Sequence, residues 1–373
     1  MQNSERASVS FLAIDPYVET HIVSPKEKDL PGKDFVEWGT NNLYPEYLYD
    51  LYSNVATLKS VIDGCVDYIA GDDATISSLR EGLNGFMNSK EETITDQIRD
   101  IAQDAMMYGG FALQVIRGKD GKPSEIYYID MRFLRMNKEC NVFYYCEDWK
   151  RKGKKKVVVY PKFRADLDWL TMSDEERNRH ASSILFMKEN RKQTYPSPRY
   201  AASVKSCETE RCIDDFHLNA INNGFSGSHV INFNNGRPTP EIMEEIEQNF
   251  IEKFGGHQNA GRIAFSWNEN RASATTIEQI QVQDYGEKYK SLERSAKQRI
   301  FTAFRANPNL FGIPTENLGF SSEEYQSAFD LFNRTMIKPM QRKIADAYEK
   351  IYGQKGVLTI VPFSLENSNT IVK

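Results

Sequence analysis

The sequence predicts an α+β protein whose first half mixes helices with a sheet and whose second half is mostly helical. Short runs rich in β-branched and aromatic residues, separated by Gly- and Asn-containing turns, fill residues 112–163 and predict strands. Between residues 198 and 305, two long helical patterns flank a shorter strand–helix–strand pattern. The chain has 373 residues, of which 40% are hydrophobic, so it can form two or three domains with substantial cores.

In the first half, an extended arm precedes two helices and a set of strands. Residues 1–40 contain three prolines and no helical period, which predicts the arm. A helix is expected to open at Pro45 and to stop at Gly71, and a second one to span residues 91–108. Strands are predicted at residues 112–117, 125–129, 133–136, 142–146, 157–163 and 183–187.

The second half is built around long helices. Ser197 is expected to cap, and Pro198 to open, a helix of about 26 residues. A strand, a helix and a strand then occupy residues 230–267, and a basic amphipathic helix spans residues 285–305. Ser321 and Glu324 have the spacing of a capping box for the last long helix. In that helix, Pro339 is expected to produce a kink.

Overall charge and composition exclude several classes of protein. The net charge of −5 gives no reason to expect tight binding to a polyanion. No apolar run is long enough to span a membrane, and the N-terminal residues lack the features of a signal peptide. The five scattered cysteines are expected to be free thiols in a reducing cytoplasm.

Motifs of catalysis and metal binding are missing from the sequence. It contains no P-loop, no H-E-x-x-H and no G-x-S-x-G. On a helix, the five-residue spacing of Cys207, Cys212 and His217 separates successive side chains by about 140°. The three side chains therefore cannot converge on one metal ion. We therefore predict no catalytic residue, no cofactor and no metal site. The basic run at residues 150–156 is interpreted as a solvated hairpin tip, with a nucleic-acid contact as the alternative.

Four stretches carry a resemblance to a known family. Residues 195–200 read Tyr-Pro-Ser-Pro-Arg-Tyr before a long helix, and a strand–helix–strand insert fills residues 228–267. The helix through Arg299 leads into Asn-Pro-Asn-Leu-Phe-Gly, and residues 321–339 begin the last helix. In their order and spacing, these stretches resemble the portal proteins, or head–tail connectors, of tailed bacteriophages of the siphovirus type.

The resemblance implies a portal-type fold with an α/β wing, two long stem helices, a small inserted α/β clip and a helical C-terminal segment. The last of these segments is short, so any crown is expected to be reduced. The implied boundaries are wing 1–197, descending stem helix 198–224, clip 225–283, ascending stem helix 284–305, tunnel loop 306–321, and C-terminal wing or reduced crown 322–373.

The same resemblance implies a virion protein that forms a ring, usually of twelve copies, at one capsid vertex. Double-stranded DNA would pass through the ring during packaging and ejection, without recognition of its sequence. The implied partners are the terminase large subunit, then head–tail adaptor proteins, and the major capsid protein, with no membrane involved. Assembly would take place in the cytoplasm of the host bacterium.

Three groups of residues are predicted to carry this function. The tunnel-loop group is expected to narrow the channel: Asn307, Pro308, Asn309, Leu310, Phe311, Gly312, Pro314 and Gly319. Possible contacts with DNA in the channel are Lys290, Arg294, Lys297, Arg299 and Arg305. The acidic residues of the clip that are expected to dock the terminase are Glu244, Glu245, Glu247 and Glu252.

Alternatives remain at two levels. Within the tunnel-loop group, Leu310 and Phe311 are either apolar lips at the channel or, as we favour, anchors that pack the loop against its neighbours. The acidic clip residues are either a docking face or a solvated helix face. For the whole chain, the alternatives are another phage head or adaptor protein and, less favoured, a soluble nucleic-acid enzyme with an unfamiliar site.

Overall fold

The computed structural model describes residues 8–12, 23–77, 85–150, 156–190, 192–222, 229–233, 238–254, 263–267, 285–312 and 322–363. These residues fall into two compact units. The larger unit comprises Ile22–Cys207 and Ala296–Lys373, and the smaller unit comprises Met1–His21 and Glu208–Ser295.

The helices and strands follow one another in a mixed order, as expected for an α+β fold. The helices are α1 Tyr44–Asn54, α2 Ala56–Ala70, α3 Ile94–Tyr108, α4 Asp174–His180, α5 Val204–Asn222, α6 Pro240–Phe254, α7 Tyr285–Phe304, α8 Ser322–Phe332 and α9 Lys338–Tyr352. The strands are β1 Ser8–Leu12, β2 Asp73–Ile76, β3 Gly110–Arg117, β4 Pro123–Ile129, β5 Leu134–Met136, β6 Val142–Tyr145, β7 Val158–Pro161, β8 Ser182–Lys188, β9 His229–Phe233, β10 Ile263–Trp267 and β11 Leu358–Val361.

Three antiparallel sheets belong to the larger unit, in the strand orders β4-β3-β8, β5-β6-β7 and β11-β2. The strands β3 to β8 lie where runs rich in β-branched and aromatic residues predict them. Strand β3 forms the middle of its sheet, and its side chains at Phe111, Leu113 and Val115 are buried. These residues join the buried faces of the surrounding helices in one hydrophobic core.

The predicted helix from Pro45 to Ala70 is wrong in one respect, because the structure divides it into α1 and α2. Val55 between them has extended backbone angles (φ −113°, ψ 106°), although its N–H still donates to the carbonyl of Leu51. Val55 and the apolar residues on both sides of it are buried. The break therefore lets each helix bury its own apolar side. Gly71 ends α2 with a positive φ of 70°, as predicted.

Helix α5 begins later than the Ser197-Pro198 signal predicts. Residues 201–203 form a 3-10 turn and α5 starts only at Val204, so this helix is about 28 Å long. The preceding segment is held against the larger unit, where Tyr195 stacks on Trp38 with 4.5 Å between ring centroids. The Ser197 carbonyl lies so close to Gly109 that a Cβ there would approach it to 2.3 Å. This packing keeps residues 195–200 out of the helix.

A π-helical turn, Asn333–Ile337, joins α8 to α9, close to the predicted kink at Pro339. Pro339 has no N–H to donate to the carbonyl four residues earlier, and its ring would collide with that carbonyl in an α-helix. The wider turn relieves both problems. The Lys338 N–H donates to the carbonyl of Asn333, and the Thr335 hydroxyl donates to the carbonyl of Leu331 at 2.8 Å.

The smaller unit contains the predicted strand–helix–strand insert. Strands β9 and β10 pair in parallel and α6 connects them, with Pro240 as its first residue. Phe233 and Trp267 stack with ring centroids 4.3 Å apart. Strand β1 adds to this sheet by antiparallel pairing with β10. The sequence predicts a strand in the N-terminal arm without indicating this partner.

A buried carboxyl group, Asp104, makes the stability of the larger unit dependent on pH. Its side chain is 3% exposed and accepts from the N–H of Met131 at 3.2 Å. Burial, and then the nearby Asp130, raise the pKa of Asp104 well above its ordinary value. Burial and neighbouring acids also raise the pKa of Asp100 to about 6. Because folding favours the protonated forms, their contribution to stability is present at low pH and is lost as pH rises.

We expect Asp104→Asn to reduce this pH dependence, since asparagine keeps an acceptor without a carboxyl proton to lose. Urea unfolding at pH 5 and pH 8 measures it, with the exposed Asp174→Asn as a control. The wild type should lose more free energy of unfolding between the two pH values than Asp104→Asn does. An equal loss in both proteins would contradict the role given to Asp104.

Candidate functional site

The first residues of the predicted tunnel loop form a short, ordered turn. Pro308–Phe311 is a 3-10 helix, and the Asn307 side chain caps it by accepting from the N–H of Asn309 at 3.1 Å. Gly312 ends the turn with a φ of +72°, which favours glycine. Pro314 and Gly319, the other two members of this group, lie outside the described residues.

Leu310 and Phe311 pack against other residues of the same chain, and their role as anchors of a channel loop stays a prediction. Leu310 is 5% exposed, and its carbonyl accepts from the Tyr68 hydroxyl at 2.8 Å. The ring of Phe311 contacts Tyr68 edge-on and also packs against aromatic rings of α7 and α8. A Cβ at Gly64 would lie 2.6 Å from the Phe311 ring. The turn is therefore docked on α2 of the same chain.

The contact at Gly64 is a feature that the sequence alone did not reveal. A glycine inside an apolar helix costs about 1 kcal/mol relative to alanine, so it often has a packing reason. That reason here is the close approach of Phe311. The glycine in α2 was therefore the available signal for an anchor, although it could not identify which residue would fill the space.

Helix α7 carries the predicted basic residues away from its buried stripe. Lys290, Arg294 and Arg299 are exposed, and Lys297 is half-buried. Arg305, just after the helix, is exposed and has a φ of +53°. The C-terminal part of α7 is fixed in the larger unit through apolar and polar contacts. Its buried residues include Phe304, which stacks on Tyr200 with 5.4 Å between ring centroids.

In the smaller unit, α5 and α7 pack together and still leave apolar side chains exposed. Phe216 of α5 stacks on Tyr289 of α7 with 4.8 Å between ring centroids. Phe216 nevertheless remains 48% exposed, and Leu218 and Leu292 are 58% and 52% exposed. We call these three residues, Phe216, Leu218 and Leu292, the stem surface. Phe216 and Leu218 are two positions apart and lie on different sides of α5. Large apolar side chains exposed on a long helix are available for contact with another protein.

The predicted acidic face of the clip lies on α6. Glu244 and Glu245 are exposed, as is the apolar side chain of Ile242 beside them. Glu247 and Glu252 belong to the same helix, but their side chains lie outside the described part of the chain. The structure thus describes two of the four predicted acidic side chains, and both face solvent.

Metal-binding clusters and membrane-spanning helices are both missing from the described residues. Across the ranges given above, no group of three or more His, Cys, Asp or Glu side chains could hold a metal ion. Within the same ranges, no helix has the length and apolar character needed to cross a membrane. Cys207 of α5 is buried and Cys212 is half-buried, and neither forms a disulfide bond.

The fold matches that of chains in solved phage-like particles. One is a chain from the virion of the native gene transfer agent particle, with a TM-score of 0.54 and 14% identity over 92% of this chain and 87% of that one. Another comes from the neck of the native particle computed with C12 symmetry, with a TM-score of 0.52 and 14% identity over 93% of this chain and 88% of that one. A third comes from the neck of the empty particle computed with C6 symmetry, with a TM-score of 0.52 and 13% identity over 87% of this chain and 85% of that one.

Sequence comparison identifies the family. No match was found among curated proteins. A family model described as phage portal protein, however, matches residues 53–361, which is most of the chain and includes α5, α7 and the docked turn. The chain therefore belongs to the phage portal protein family.

Proposed function

We propose that this chain forms a closed ring at one vertex of a phage capsid and that DNA enters and leaves the capsid through the ring. The stem surface is the observation that carries the proposal. Three large apolar side chains on two long helices remain about half exposed in the single chain. Covering them with the helices of a neighbouring copy would contribute about 25 cal/mol for each Å² removed from water.

Family membership and the neck matches support a ring rather than a simple pair. One structural neighbour belongs to a neck computed with C12 symmetry, and another to a neck computed with C6 symmetry. If copies pack head to tail around an axis, each one uses the stem surface against a different part of its neighbour, and the ring closes. Twelve copies is the number that we propose for this chain.

Substitution of the stem surface is expected to prevent ring formation. The variant Phe216→Ser, Leu218→Ser, Leu292→Ser removes most of the apolar area that a neighbour would cover, so it should yield small species in place of rings. Mass measurement of the purified protein reads this directly. A matched control changes three exposed apolar residues elsewhere, Val157, Val159 and Leu170, to serine.

The control should retain rings, and circular dichroism should show that both variants keep their helices. Rings of unchanged mass in the stem-surface variant would show that other contacts hold the copies together. Loss of rings in the control alone would move the interface to that surface.

The remaining partners follow from the same proposal. DNA passes through the channel without sequence-specific contacts, and the residues between Gly312 and Ser322 narrow it. The terminase large subunit docks on the clip during packaging, head–tail adaptors replace it later, and the major capsid protein surrounds the wing. The protein itself is a structural component of the virion, while the motor supplies the chemistry of ATP hydrolysis.

Charge reversal on the clip is expected to weaken docking of the terminase. The exposed acids Glu244 and Glu245 would pair with basic residues of the motor, and each exposed ion pair contributes about 0.2–1 kcal/mol. Glu244→Lys with Glu245→Lys should therefore lower the affinity by about twofold to thirtyfold in a binding titration with purified terminase. Asp174→Lys with Glu175→Lys on α4 is the matched control. Unchanged affinity in the clip variant would leave α6 as a solvated face.

A further inference from the structure

A row of basic side chains runs along the exposed side of the last helices of the larger unit. It consists of Arg334 in the π-helical turn and of Lys338 and Arg342 in α9, and all three side chains are exposed. We call these three residues the cationic stripe. They form no ion pair with another residue in the part of the chain that the structure describes, where the pairs of this region involve Lys343 and Arg199 instead.

The π-helical turn brings the three side chains into line. In an α-helix of 3.6 residues per turn, a step of four residues overshoots a full turn by about 40°, so two such steps would displace Arg342 from Arg334 by about 80°. A π-helical turn rotates less per residue, because its hydrogen bonds join residues five apart. The step from Arg334 to Lys338 runs through this turn and falls short of a full turn. The shortfall in the π-helical step and the overshoot in the α-helical step from Lys338 to Arg342 therefore cancel in large part, and the three side chains lie on one side.

Buried contacts hold the π-helical turn from its inner side. A guanidinium nitrogen (Nη1) of Arg199 lies 2.7 Å from the sulfur of Met336, in the middle of the turn. The same guanidinium is bound by the carboxylate of Glu189, which also pairs with Lys343 of α9 at 3.1 Å. Met336 is 2% exposed. The outer side chains of the turn are thereby presented to solvent from a fixed backbone.

We propose that the cationic stripe contacts the phosphates of the DNA that passes through the ring, a site in addition to the basic residues of α7. This inference rests on the proposed channel. The stripe follows closely on residues 313–321, which we propose to narrow the channel, because α8 joins the two. Guanidinium and ammonium groups bind phosphate oxygens by charge-assisted hydrogen bonds that carry no sequence information.

The flanking residues make the contact weak, as a moving polymer requires. Asp330 and Asp346 stand four residues before and four residues after the stripe, and both are exposed. The whole row from Asp330 to Asp346 therefore carries three positive and two negative charges. DNA would be attracted by the centre of the row and repelled at its ends. Such a surface holds a phosphate briefly and does not stall translocation.

Binding of a short duplex to purified rings tests the stripe. The variant Arg334→Gln, Lys338→Gln, Arg342→Gln is compared with a control in which Lys119, Lys122 and Lys192, exposed on other parts of the wing, become glutamine. The probe is a fluorescent duplex of about 30 base pairs, titrated in salt from about 50 to 200 mM. Ring mass is measured for every protein. A charge-preserving variant, Arg334→Lys with Arg342→Lys, checks that the helices tolerate substitution.

We expect all four proteins to form rings of equal mass. The stripe variant should bind the duplex at least about tenfold more weakly, with a salt slope shallower by about 2 to 3, since each phosphate contact contributes about 0.9 to that slope. The control and the charge-preserving variant should bind like the wild type. Unchanged affinity and slope in the stripe variant would overturn the inference.

Three other outcomes have distinct meanings. If the stripe variant loses rings while the charge-preserving variant keeps them, the stripe pairs with acids of a neighbouring copy and the inference is wrong. If wild-type protein forms rings that do not bind the duplex, the inference is wrong while the proposed ring assembly is supported. If wild-type protein forms no ring, the proposed function itself fails.

Discussion

Replacing Arg135 with alanine is expected to destabilise the larger unit by about 4 kcal/mol or more. The side chain is fully buried, and burial lowers the pKa of its guanidinium to about 10. The guanidinium donates to the side-chain and backbone oxygens of Asn42, both at 2.6 Å, and to the carbonyls of Arg132 and Leu134 at 2.9 and 2.8 Å. Alanine would remove all four of these hydrogen bonds and leave a cavity, and the Asn42 side-chain oxygen would keep the N–H of Trp38 as a donor.

Aromatic rings add to the cost of losing this side chain. The guanidinium carbon lies 5.0 Å from the ring centre of Trp149 and 5.9 Å from that of Trp38. A cation over an aromatic ring in a buried place contributes about 2 kcal/mol. Arg135→Lys should recover only part of the stability, because an ammonium group cannot reach all four acceptors from one point.

Urea unfolding of the wild type, Arg135→Ala and Arg135→Lys measures both effects. Arg179→Ala on α4, whose side chain is 66% exposed, is the matched control and should change stability by less than about 0.5 kcal/mol. A loss below about 1 kcal/mol in Arg135→Ala would show that water or neighbouring groups replace the guanidinium at little cost.

Replacing residues 313–320 with an equally long Gly-Ser segment is expected to leave rings intact and to abolish retention of packaged DNA. The preceding turn is docked through the Tyr68–Leu310 hydrogen bond and the Phe311 ring, so it should hold its place in the variant. Only the segment proposed to narrow the channel changes, and it loses its apolar side chains and the stiffness that Pro314 provides.

Ring mass by light scattering and DNA content of particles give the two readings for this variant. The control replaces residues 78–84, another segment between described elements, with a Gly-Ser segment of the same length. It should assemble and retain DNA normally. Particles of the first variant that retain a full complement of DNA would reject the proposed role of residues 313–320, whatever the ring does.

Local signals in the sequence were sufficient for much of the fold. Runs rich in β-branched and aromatic residues, separated by Gly- and Asn-containing turns, located strands β3 to β8, because such side chains pack well on a pleated sheet. Gly71 and Gly109 located two helix ends, because both adopt a positive φ that other residues rarely take. These features depend on residues close together in the chain.

Tertiary contacts decided the features that the sequence did not reveal. Val55 breaks a helix so that both halves can be buried, and Ser197 fails to cap one because its carbonyl packs on Gly109. The roles of Leu310 and Phe311 depend on Tyr68, more than 240 positions earlier in the chain. No local pattern encodes such contacts, so propensity alone misplaces the elements that they control.

Prediction of the site was limited by a different factor, namely that the proposed site includes several copies of the chain. The basic residues of α7 and the acids of α6 were identifiable because charged residues on amphipathic helices point away from the buried stripe. The stem surface was not identified, because Phe216, Leu218 and Leu292 resemble ordinary core residues in a helical pattern. Their exposure is visible only once the rest of the chain is in place.

Electron microscopy of the purified full-length protein, together with its mass in solution, tests the central claim most directly. The account predicts closed rings with an open centre and a mass close to twelve copies of the chain. A stable monomer at the same protein concentration, with no ring in any class of particles, would contradict it.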